Sequence, residues 1–581
     1  MFLLLAFCLF ASRLNNDERA NWTPFILSGN LNLHSPINMG KFILDPPAGK
    51  HGFVKVKDGR FYFEDGTRAK FWGTNISFSS CFPSKKQTEI MVNRLVFFGF
   101  NAVRLHHMDC HFEPNGIFED TSSDCSGQQL KRTGKLSKKQ LDRLDYLIYK
   151  LKLQGIYVDM NLLVSRHFTE ADGVIEASEL GLAAKPISMF DPKLIELQKQ
   201  YAKDLLTHYN PYTRLRYCDD PAIAMIEITN ENSIFNITKK RVPEYYLKQL
   251  ETKWENWREP KDSTIENTKK AFYIDLEKSY FTEMSDFLHK ECYVKVPITG
   301  IGGFLYLENI DTQEPCDFID IHFYWDHPVF PNKSWDGNDF RIHNKSILRD
   351  ANLGSLGEVA AYFPASRTKP FTVSEWGHCY PNEYAYEMPI LIAVEAKKND
   401  WDALYQFAFA GFPFVTDNII NFFDTISNPQ QLILCSLGSF LYNKSPDVET
   451  IIDGGILKVD SALIKGMVGS IKNKPIDLGP LSVISKENGA VFIFSPQMIP
   501  IEKAERLILI KLSSIKNRKS RWISKKRFLW GTSPTLLKNM DVEISSNGKK
   551  GFEIFGINEK GTPTTSSAGK PKVPWLEIVI K

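Results

Sequence analysis

Between about residues 69 and 440 the sequence alternates between short β-branched runs and amphipathic helical segments, and this alternation constrains the fold more than any other feature. Strands that alternate with helices predict a parallel sheet joined by right-handed crossovers. About eight such units fit a closed (β/α)8 barrel with long loops better than an open nucleotide-binding sheet. An open sheet of that kind needs a glycine-rich turn after its first strand, and the sequence has none.

Seven strands of this α/β fold are clearly predicted, and an eighth is weaker. The seven lie at 71–76, 101–107, 156–163, 223–230, 294–301, 318–325 and 370–377, and the eighth at 412–421. Helices are predicted at 84–98, 137–155, 191–208, 241–257, 265–291 and 383–410. Ser84 and Ser137 are the expected N-caps of the first two helices, and Gly99 and Gly155 are expected to end them.

Segments with a β pattern flank the predicted barrel on both sides. Residues 53–73 alternate apolar and polar side chains around two Asp-Gly pairs, which predicts a β meander. Short strands separated by turns predict an antiparallel β-sandwich after about residue 445. The predicted domains are therefore an extension with a meander at 16–68, a (β/α)8 barrel at 69–440 and a sandwich at 445–581.

The first 15 residues form an apolar run that resembles a truncated signal peptide, although no basic residue precedes it. The run is too short to cross a bilayer, so we expect a secreted or cell-envelope protein without stable membrane insertion. A net charge of +3 gives no indication of nucleic-acid binding. We expect a monomer. We also expect no cofactor or metal, because neither a zinc-ligand spacing nor a phosphate-binding loop is present.

Two smaller features leave alternatives open. Cys110 and Cys125 flank a loop and could form a disulfide, but the pairing does not follow from the sequence. Residues 516–527 hold seven basic groups. A solvated loop is the favoured interpretation of this segment, and a site for an acidic polymer is the other.

In a (β/α)8 barrel the chemistry takes place at the C-terminal ends of the strands, and the polar residues at these positions are distinctive. They are Asn75, Arg104, His106, His107, Asp109, Asn161, Asn230, Glu231, His322, Tyr324, Trp325, Glu375, Trp376 and His378. Each alone could be a solvated loop residue or part of a buried ion pair. Two glutamates at the ends of different strands, surrounded by Arg, His, Tyr and Asn, together indicate a functional site.

The direction of individual side chains follows from the alternation along a strand. His106 shares the inward parity of Arg104, and His107 is expected to face the helices or the rim. Glu227 shares the parity of Glu231, which predicts a deep ion pair between Glu227 and Arg104.

Glycoside hydrolysis requires two carboxyl groups. One must hold a proton for the leaving oxygen, and in retaining enzymes the other attacks the anomeric carbon in its ionised form. The two groups of a retaining enzyme lie about 5–5.5 Å apart. Strands four and seven face each other across a barrel mouth, so Glu231 and Glu375 could meet this distance.

The strand-end motifs resemble those of a known family. Asn-Glu at 230–231, "HFY" at 322–324 and "VSEWG" at 373–377 resemble clan A of the glycoside hydrolases, in particular cellulase-like family 5 and its near relatives, over residues 45–425. The resemblance implies a retaining glycosidase that cleaves a β-linked poly- or oligosaccharide by double displacement. Glu231 would be the acid/base and Glu375 the nucleophile.

The same resemblance implies the roles of the supporting residues. Asn230 would bind the sugar 2-hydroxyl, and His322 would position the acid/base and the substrate. Arg104 and Tyr324 would support the nucleophile. His106, Asn75 and Asn161 complete the expected substrate-binding set.

The chain departs from the family pattern at three places. Asn232 stands where the family often has Pro, Asn161 stands where a His is common, and the usual Trp of the eighth strand is absent. We therefore expect Trp376 or Trp325 to stack against a sugar. Two other functions remain open, namely a carbohydrate-binding barrel with little or no activity and a metal-dependent hydrolase. The second is disfavoured because the strand ends show no His-X-His motif.

Overall fold

The computed structural model describes residues 20–110, 112–119, 132–239, 241–258, 268–350, 368–411, 414–548, 551–564 and 572–581. The apolar N-terminal run at 1–15 and Cys125 lie outside these ranges. No helix within them combines the length and the apolar character that crossing a bilayer would require.

Eight parallel strands form the centre of the molecule and confirm the (β/α)8 barrel. They are β1 (Phe71–Ser77), β2 (Ala102–His106), β3 (Tyr157–Leu163), β4 (Ile223–Asn230), β5 (Ile298–Gly302), β6 (Ile319–Trp325), β7 (Phe371–His378) and β8 (Ala403–Ala410). Their order in the sheet is β5-β4-β3-β2-β1-β8-β7-β6. The barrel closes between β5 and β6, where the amide of Asp317 donates to the carbonyl of Ile298 at 2.8 Å.

Longer helices surround these strands. They are α1 (Lys85–Phe97), α2 (Lys138–Leu153), α3 (Pro192–Leu206), α4 (Glu244–Arg258), α5 (Lys269–Lys290), α6 (Met388–Lys398) and α7 (Pro429–Lys444). Shorter helices lie at Gly40–Ile43, Ala177–Leu180, Ala184–Ile187, Asn309–Thr312 and Ile347–Asp350. The predicted caps are confirmed, because the hydroxyls of Ser84 and Ser137 accept from backbone amides in the first turns of α1 and α2.

The prediction for the last barrel unit was wrong. Strand β8 lies at Ala403–Ala410 rather than at 412–421, and α6 ends at Lys398 rather than at 410. Asp400, with a φ of 52°, lies in the turn that separates the two elements. A strand packed on both faces lacks the alternation of apolar and polar residues, so its sequence is hard to distinguish from a buried helix.

The N-terminal meander covers the end of the barrel opposite the strand C-termini. Its hairpin pairs Val54–Lys57 with Arg60–Phe63, as predicted. Phe61 packs against Phe318 at a ring distance of 5.4 Å, and Phe63 against Tyr157 at 5.2 Å. With this end filled by aromatic side chains, only the end that carries the strand C-termini is open to a substrate.

The C-terminal strands form an antiparallel sandwich, as predicted. One sheet contains Glu449–Asp453, Ile456–Asp460, Ile464–Gly469, Gly489–Phe494, Arg506–Leu512, Phe552–Ile557 and Trp575–Ile580. The second contains Pro475–Asp477, Leu481–Ser485 and Val542–Ser546. In a third sheet, Trp22–Pro24 pairs with Thr532–Lys538, and Thr532–Lys538 also pairs with Ile515–Arg518.

The hydrophobic core is continuous between the barrel and the sandwich. Phe440 of α7 lies 5.7 Å from Phe494 of the sandwich, and Phe25 lies 5.7 Å from Trp575, measured between ring centres. The division into domains near residue 445 stays a prediction, since buried contacts of this kind couple the two parts.

Candidate active site

The two glutamates lie at the open end of the barrel on opposite strands. Glu231 directly follows β4, and its amide donates to the carbonyl of Gly302 at 2.8 Å. Its φ of 42° is in the left-handed region, where a residue with a Cβ costs about 1–3 kcal/mol. Glu375 lies within β7 and is 4 % exposed. An oxygen of each carboxylate lies within 4.8 Å of one of the other.

Both oxygens of Glu375 are held by hydrogen-bond donors. Nη1 of Arg104 donates to Oε1 at 2.8 Å, and the hydroxyl of Tyr324 donates to Oε2 at 2.6 Å. Nε2 of His106 lies 3.3 Å from Oε1. Burial, together with the positive charges around it, lowers the pKa of His106 well below its usual range, so its imidazole is neutral. The carboxylate is thereby fixed in one orientation and excluded from bulk water.

Glu231 is more open, with 44 % of its side chain exposed, and it pairs with His322. Nδ1 of His322 lies 2.8 Å from Oε1 of Glu231. Desolvation raises the pKa of Glu231, but the hydrogen bond and charge of His322 outweigh it and lower this pKa to about 2. Burial lowers the pKa of His322, but the charges of Glu375 and Glu231 outweigh it, so the net shift is upward.

The sequence analysis expected Glu231 to be kept protonated by its surroundings. The lowered pKa of Glu231 differs from this expectation. The two pKa shifts favour the ionised form of Glu231 and the protonated form of His322.

A second hydrogen-bonded pair fixes the far side of the His322 ring. Nε2 of His322 lies 3.0 Å from the hydroxyl of Ser374, and this hydroxyl donates to Oδ2 of Asp320 at 2.5 Å. The amide of Gly303 donates to the same carboxyl oxygen at 2.9 Å. A Cβ at Gly303 would lie 2.5 Å from Nδ1 of His322, so this position requires glycine. The sequence analysis did not identify Ser374, Asp320 or Gly303.

Arg104 connects the floor of the site. Besides Glu375, its guanidinium donates to both oxygens of Glu227 at 2.8 and 2.7 Å, to Oδ1 of Asn230 at 2.7 Å and to Oδ1 of Asn75 at 3.0 Å. The ion pair expected between Arg104 and Glu227 is therefore present. Asn230, which precedes Glu231 in the chain, is 4 % exposed.

Two of the expected substrate-binding residues lie too deep to reach a sugar. Asn75 and Asn161 are fully buried. The amide of Asn75 donates to the carbonyl of Ser374 at 2.8 Å, and that of Asn161 donates to Glu227. These contacts lie below the carboxylates, so the two amides support the site from beneath instead of binding substrate.

The expected role of Trp376 is also corrected. It is 1 % exposed and packs against Trp72 with ring centres 5.6 Å apart. Because neighbours on a strand point to opposite faces, an inward Glu375 places Trp376 on the outer face of the barrel, under the helices. Trp325 donates from its indole to the carbonyl of Lys345 at the rim.

Aromatic residues that the sequence analysis missed form one wall of the site. Phe407 of β8 and Phe423 pack on Tyr324 at ring distances of 6.0 and 5.2 Å. They line a cavity of about 490 Å³ together with His107 and with Trp335, which is 58 % exposed. Phe407 escaped notice because β8 was predicted as helix. Loops bring Phe423 and Trp335 to the wall, and no local pattern marks them.

The buried position of Arg104 leads to a prediction on stability. Arg104→Met leaves Glu227 and Glu375 buried without a counter-charge, which is expected to reduce the free energy of unfolding by about 3–5 kcal/mol. The measurement is urea unfolding followed by fluorescence. Adding Glu227→Met should recover part of the loss. Lys290→Met, which breaks an exposed pair with Asp286, should cost about 1 kcal/mol or less, and an equal cost at Arg104 would contradict the ion-pair argument.

The chain was compared with protein families, curated proteins and solved structures, and only the solved structures gave matches. No protein-family model and no curated protein matches the chain. An endo-β-1,4-mannanase from Thermotoga petrophila is 14 % identical with a TM-score of 0.46, covering 82 % of this chain and 98 % of that chain.

Two further solved structures give similar values. An endo-1,4-β-mannanase from Rhizomucor miehei is 16 % identical with a TM-score of 0.47, covering 68 % and 100 %. A β-glucanase from Saccharophagus degradans is 14 % identical with a TM-score of 0.40, covering 69 % and 97 %. Structural similarity with TM-scores below 0.5 gives no information on individual site residues. The function is therefore argued from the geometry of the site.

Proposed function

We propose that the protein is a retaining glycoside hydrolase that cleaves a β-linked poly- or oligosaccharide, with Glu375 as nucleophile and Glu231 as acid/base. The separation of the two carboxylates carries the proposal. Their nearest oxygens lie within 4.8 Å, close to the roughly 5–5.5 Å typical of retaining enzymes. Inverting enzymes need about 6.5–9.5 Å, because a water molecule must fit between the sugar and the base. The β linkage follows from the resemblance of the strand-end motifs.

In the first step Glu375 attacks the anomeric carbon, and the bond to the leaving oxygen breaks. Arg104 and Tyr324 hold the attacking carboxylate in place. The proton of His322 passes across their 2.8 Å hydrogen bond to Glu231 and from there to the leaving oxygen, which leaves Glu231 ionised and His322 neutral. The negative charge of Glu375 raises the pKa of His322. Ester formation removes this charge, so the pKa of His322 falls and release of its proton is favoured.

In the second step water attacks the glycosyl ester. Glu231, which the first step leaves ionised, accepts the proton of that water and passes it to the neutral His322 as Glu375 regains its charge. The bond between sugar and Glu375 breaks, and the product keeps the anomeric configuration of the substrate. The aromatic wall of Phe407, Phe423 and Trp335 suits the apolar faces of sugar rings.

The direct test is a panel of nitrophenyl glycosides. We expect hydrolysis of at least one β-glycoside, with the β-anomer as the first product in the NMR spectrum. An α-anomer as first product would exclude the retaining mechanism. Binding of glycans without any turnover would favour the carbohydrate-binding alternative.

A metal-dependent hydrolase is the second candidate, because Glu231, His322 and Glu375 together present three ligand atoms within 4.8 Å of one another. The two candidates respond differently to metal. Under the main proposal EDTA leaves activity unchanged and added Zn²⁺ inhibits, because a cation would occupy both carboxylates. Loss of activity with EDTA and its return with Zn²⁺ would favour the metal enzyme.

The raised pKa of His322 predicts the alkaline limb of the pH profile. The shared proton is present below the pKa of His322 and is lost as the pH rises through it. For a substrate with a poor leaving group, kcat/KM should therefore begin to fall only above pH 6.5, the ordinary pKa of histidine. His322→Gln keeps a donor to Glu231 but stores no proton, so this limb should move to lower pH. An unchanged limb in the variant would contradict the assignment.

A further inference from the structure

The strongest feature outside the active site is a hairpin near the C-terminal part of the sequence that packs on Phe340 and Tyr380, two residues of barrel loops. Strand Arg521–Ser524 pairs with Arg527–Leu529, and we call residues 521–529 the basic hairpin. It extends from the longer segment 515–531, which contains seven Lys and Arg residues and no Asp or Glu. The whole chain has a net charge of only +3, so the rest of the chain is slightly negative.

The cations of the hairpin are not used by the fold. Arg521, Lys525, Lys526 and Arg527 are all exposed. Among the ion pairs between described residues, none includes any of these four. Structural cations at a protein surface usually cover apolar area or pair with carboxylates. Four adjacent free cations form a local positive field that attracts an anionic partner.

Apolar side chains are exposed among these cations. Ile523 is 52 % exposed, Leu529 is 39 % exposed and Trp522 is 37 % exposed. Single exposed apolar residues are common, but Ile523 and Leu529 both lie among the cations of one short hairpin, a combination of the kind that marks an interaction surface. The pairing of Arg521 with Leu529 places a cation beside an apolar group on the same face.

The other face of the hairpin anchors it firmly. Trp522 and Phe528 pack on Phe340 at ring distances of 5.2 and 6.3 Å. The amide of Phe340 donates to the carbonyl of Lys526 at 3.2 Å. The exposed groups are therefore presented by a rigid support, so little conformational entropy is lost when they bind.

We propose that the basic hairpin binds the surface of an anionic lipid bilayer. Lys and Arg groups are attracted to anionic headgroups, while Ile523 and Leu529 can enter the boundary between headgroups and acyl chains. An acidic polysaccharide or a nucleic acid would satisfy the charges, but it offers no apolar phase for the two aliphatic side chains. The mixture of charge and aliphatic surface therefore favours lipid over either polymer.

The location of the hairpin gives this binding a consequence. Phe340, on which it packs, lies 4.7 Å from Phe422. Phe422 and Trp335, 6.3 Å apart, both line the cavity that Phe407 and Phe423 also line. Binding through the hairpin would hold the mouth of the barrel next to the bilayer.

The test is co-sedimentation of the purified full-length protein with vesicles. One set contains phosphatidylcholine alone, and the other contains phosphatidylcholine with phosphatidylserine. We expect binding to the anionic vesicles only, weakening as salt is added. Replacing Arg521, Lys525, Lys526 and Arg527 together by Gln should weaken this binding by at least about tenfold. Ile523→Ser with Leu529→Ser should weaken it by about threefold or more.

A matched variant controls for net charge. It replaces Lys203, Lys248, Lys269 and Lys290, four exposed lysines on barrel helices, by Gln. It loses the same charge and should bind anionic vesicles like the parent protein. Equal binding to neutral vesicles, equal loss in both charge variants, or no effect of the apolar double variant would overturn the proposal. So would binding to heparin or DNA through the same four cations without binding to vesicles. Circular dichroism establishes that each variant is folded.

Discussion

Glu375→Gln is expected to lose hydrolysis of every glycoside by about 10⁴-fold or more, whatever the leaving group. The amide cannot form the glycosyl ester, and its single oxygen can replace only one of the two acceptor oxygens that Arg104 and Tyr324 use in Glu375. The measurement is initial rate on an activated aryl glycoside, with unfolding midpoint as a check of the fold. Glu383→Gln is the matched control, because Glu383 is an exposed carboxylate in the loop after β7. This variant should be as active as the parent protein.

Azide adds a stereochemical readout for the same position. In Glu375→Ala the space left by the carboxylate admits azide, which attacks from the same side as the missing nucleophile. With a β-glycoside substrate the product should be the inverted α-glycosyl azide, identified by NMR. Full activity in either variant, or a β-azide product, would show that Glu375 is not the nucleophile.

Glu231→Ala is expected to separate the two chemical steps. On a substrate with a poor leaving group, activity should fall by about 10²–10⁴-fold, because no group protonates the departing oxygen. On an activated aryl glycoside Glu375 should still react, and hydrolysis of the ester should then become slow. The glycosyl-enzyme should accumulate, with a lowered KM and a mass increase on the peptide that contains Glu375.

Azide should rescue this variant and yield the other anomer. Azide needs no general base, so it should restore turnover and give a β-glycosyl azide. Glu244→Ala, which changes an exposed glutamate at the start of α4, serves as the control and should need no rescue. An α-azide product from Glu231→Ala, or no accumulation of intermediate, would contradict the acid/base role.

The position of the shared proton distinguishes this site from a simple pair of carboxylates. The imidazole of His322 is 7 % exposed, with Glu231 at one ring nitrogen and the hydroxyl of Ser374 at the other. The charge of Glu375 raises the pKa of His322, so formation of the ester and release of the proton favour one another. The same coupling links pH to stability. The stabilisation from His322 is present below pH 6.5 and is lost as the pH rises through its raised pKa.

Local features of the sequence determined the types and order of most elements. Caps at Ser84 and Ser137 and the β-branched run of β4 depend on neighbours a few residues away, so the sequence predicts them directly. The same locality placed Glu231 and Glu375 at strand ends. It failed at β8, where burial on both faces removed the alternation that identifies a strand.

The tertiary structure alone decided what each side chain touches. Whether Trp376 faces a sugar or Trp72, and whether Asn161 binds substrate or Glu227, depends on contacts between strands far apart in the chain. The bond from His322 to Glu231 and the packing of Trp522 on Phe340 are of the same kind. Such contacts form only when barrel closure brings distant segments together, and no periodicity within one segment encodes them.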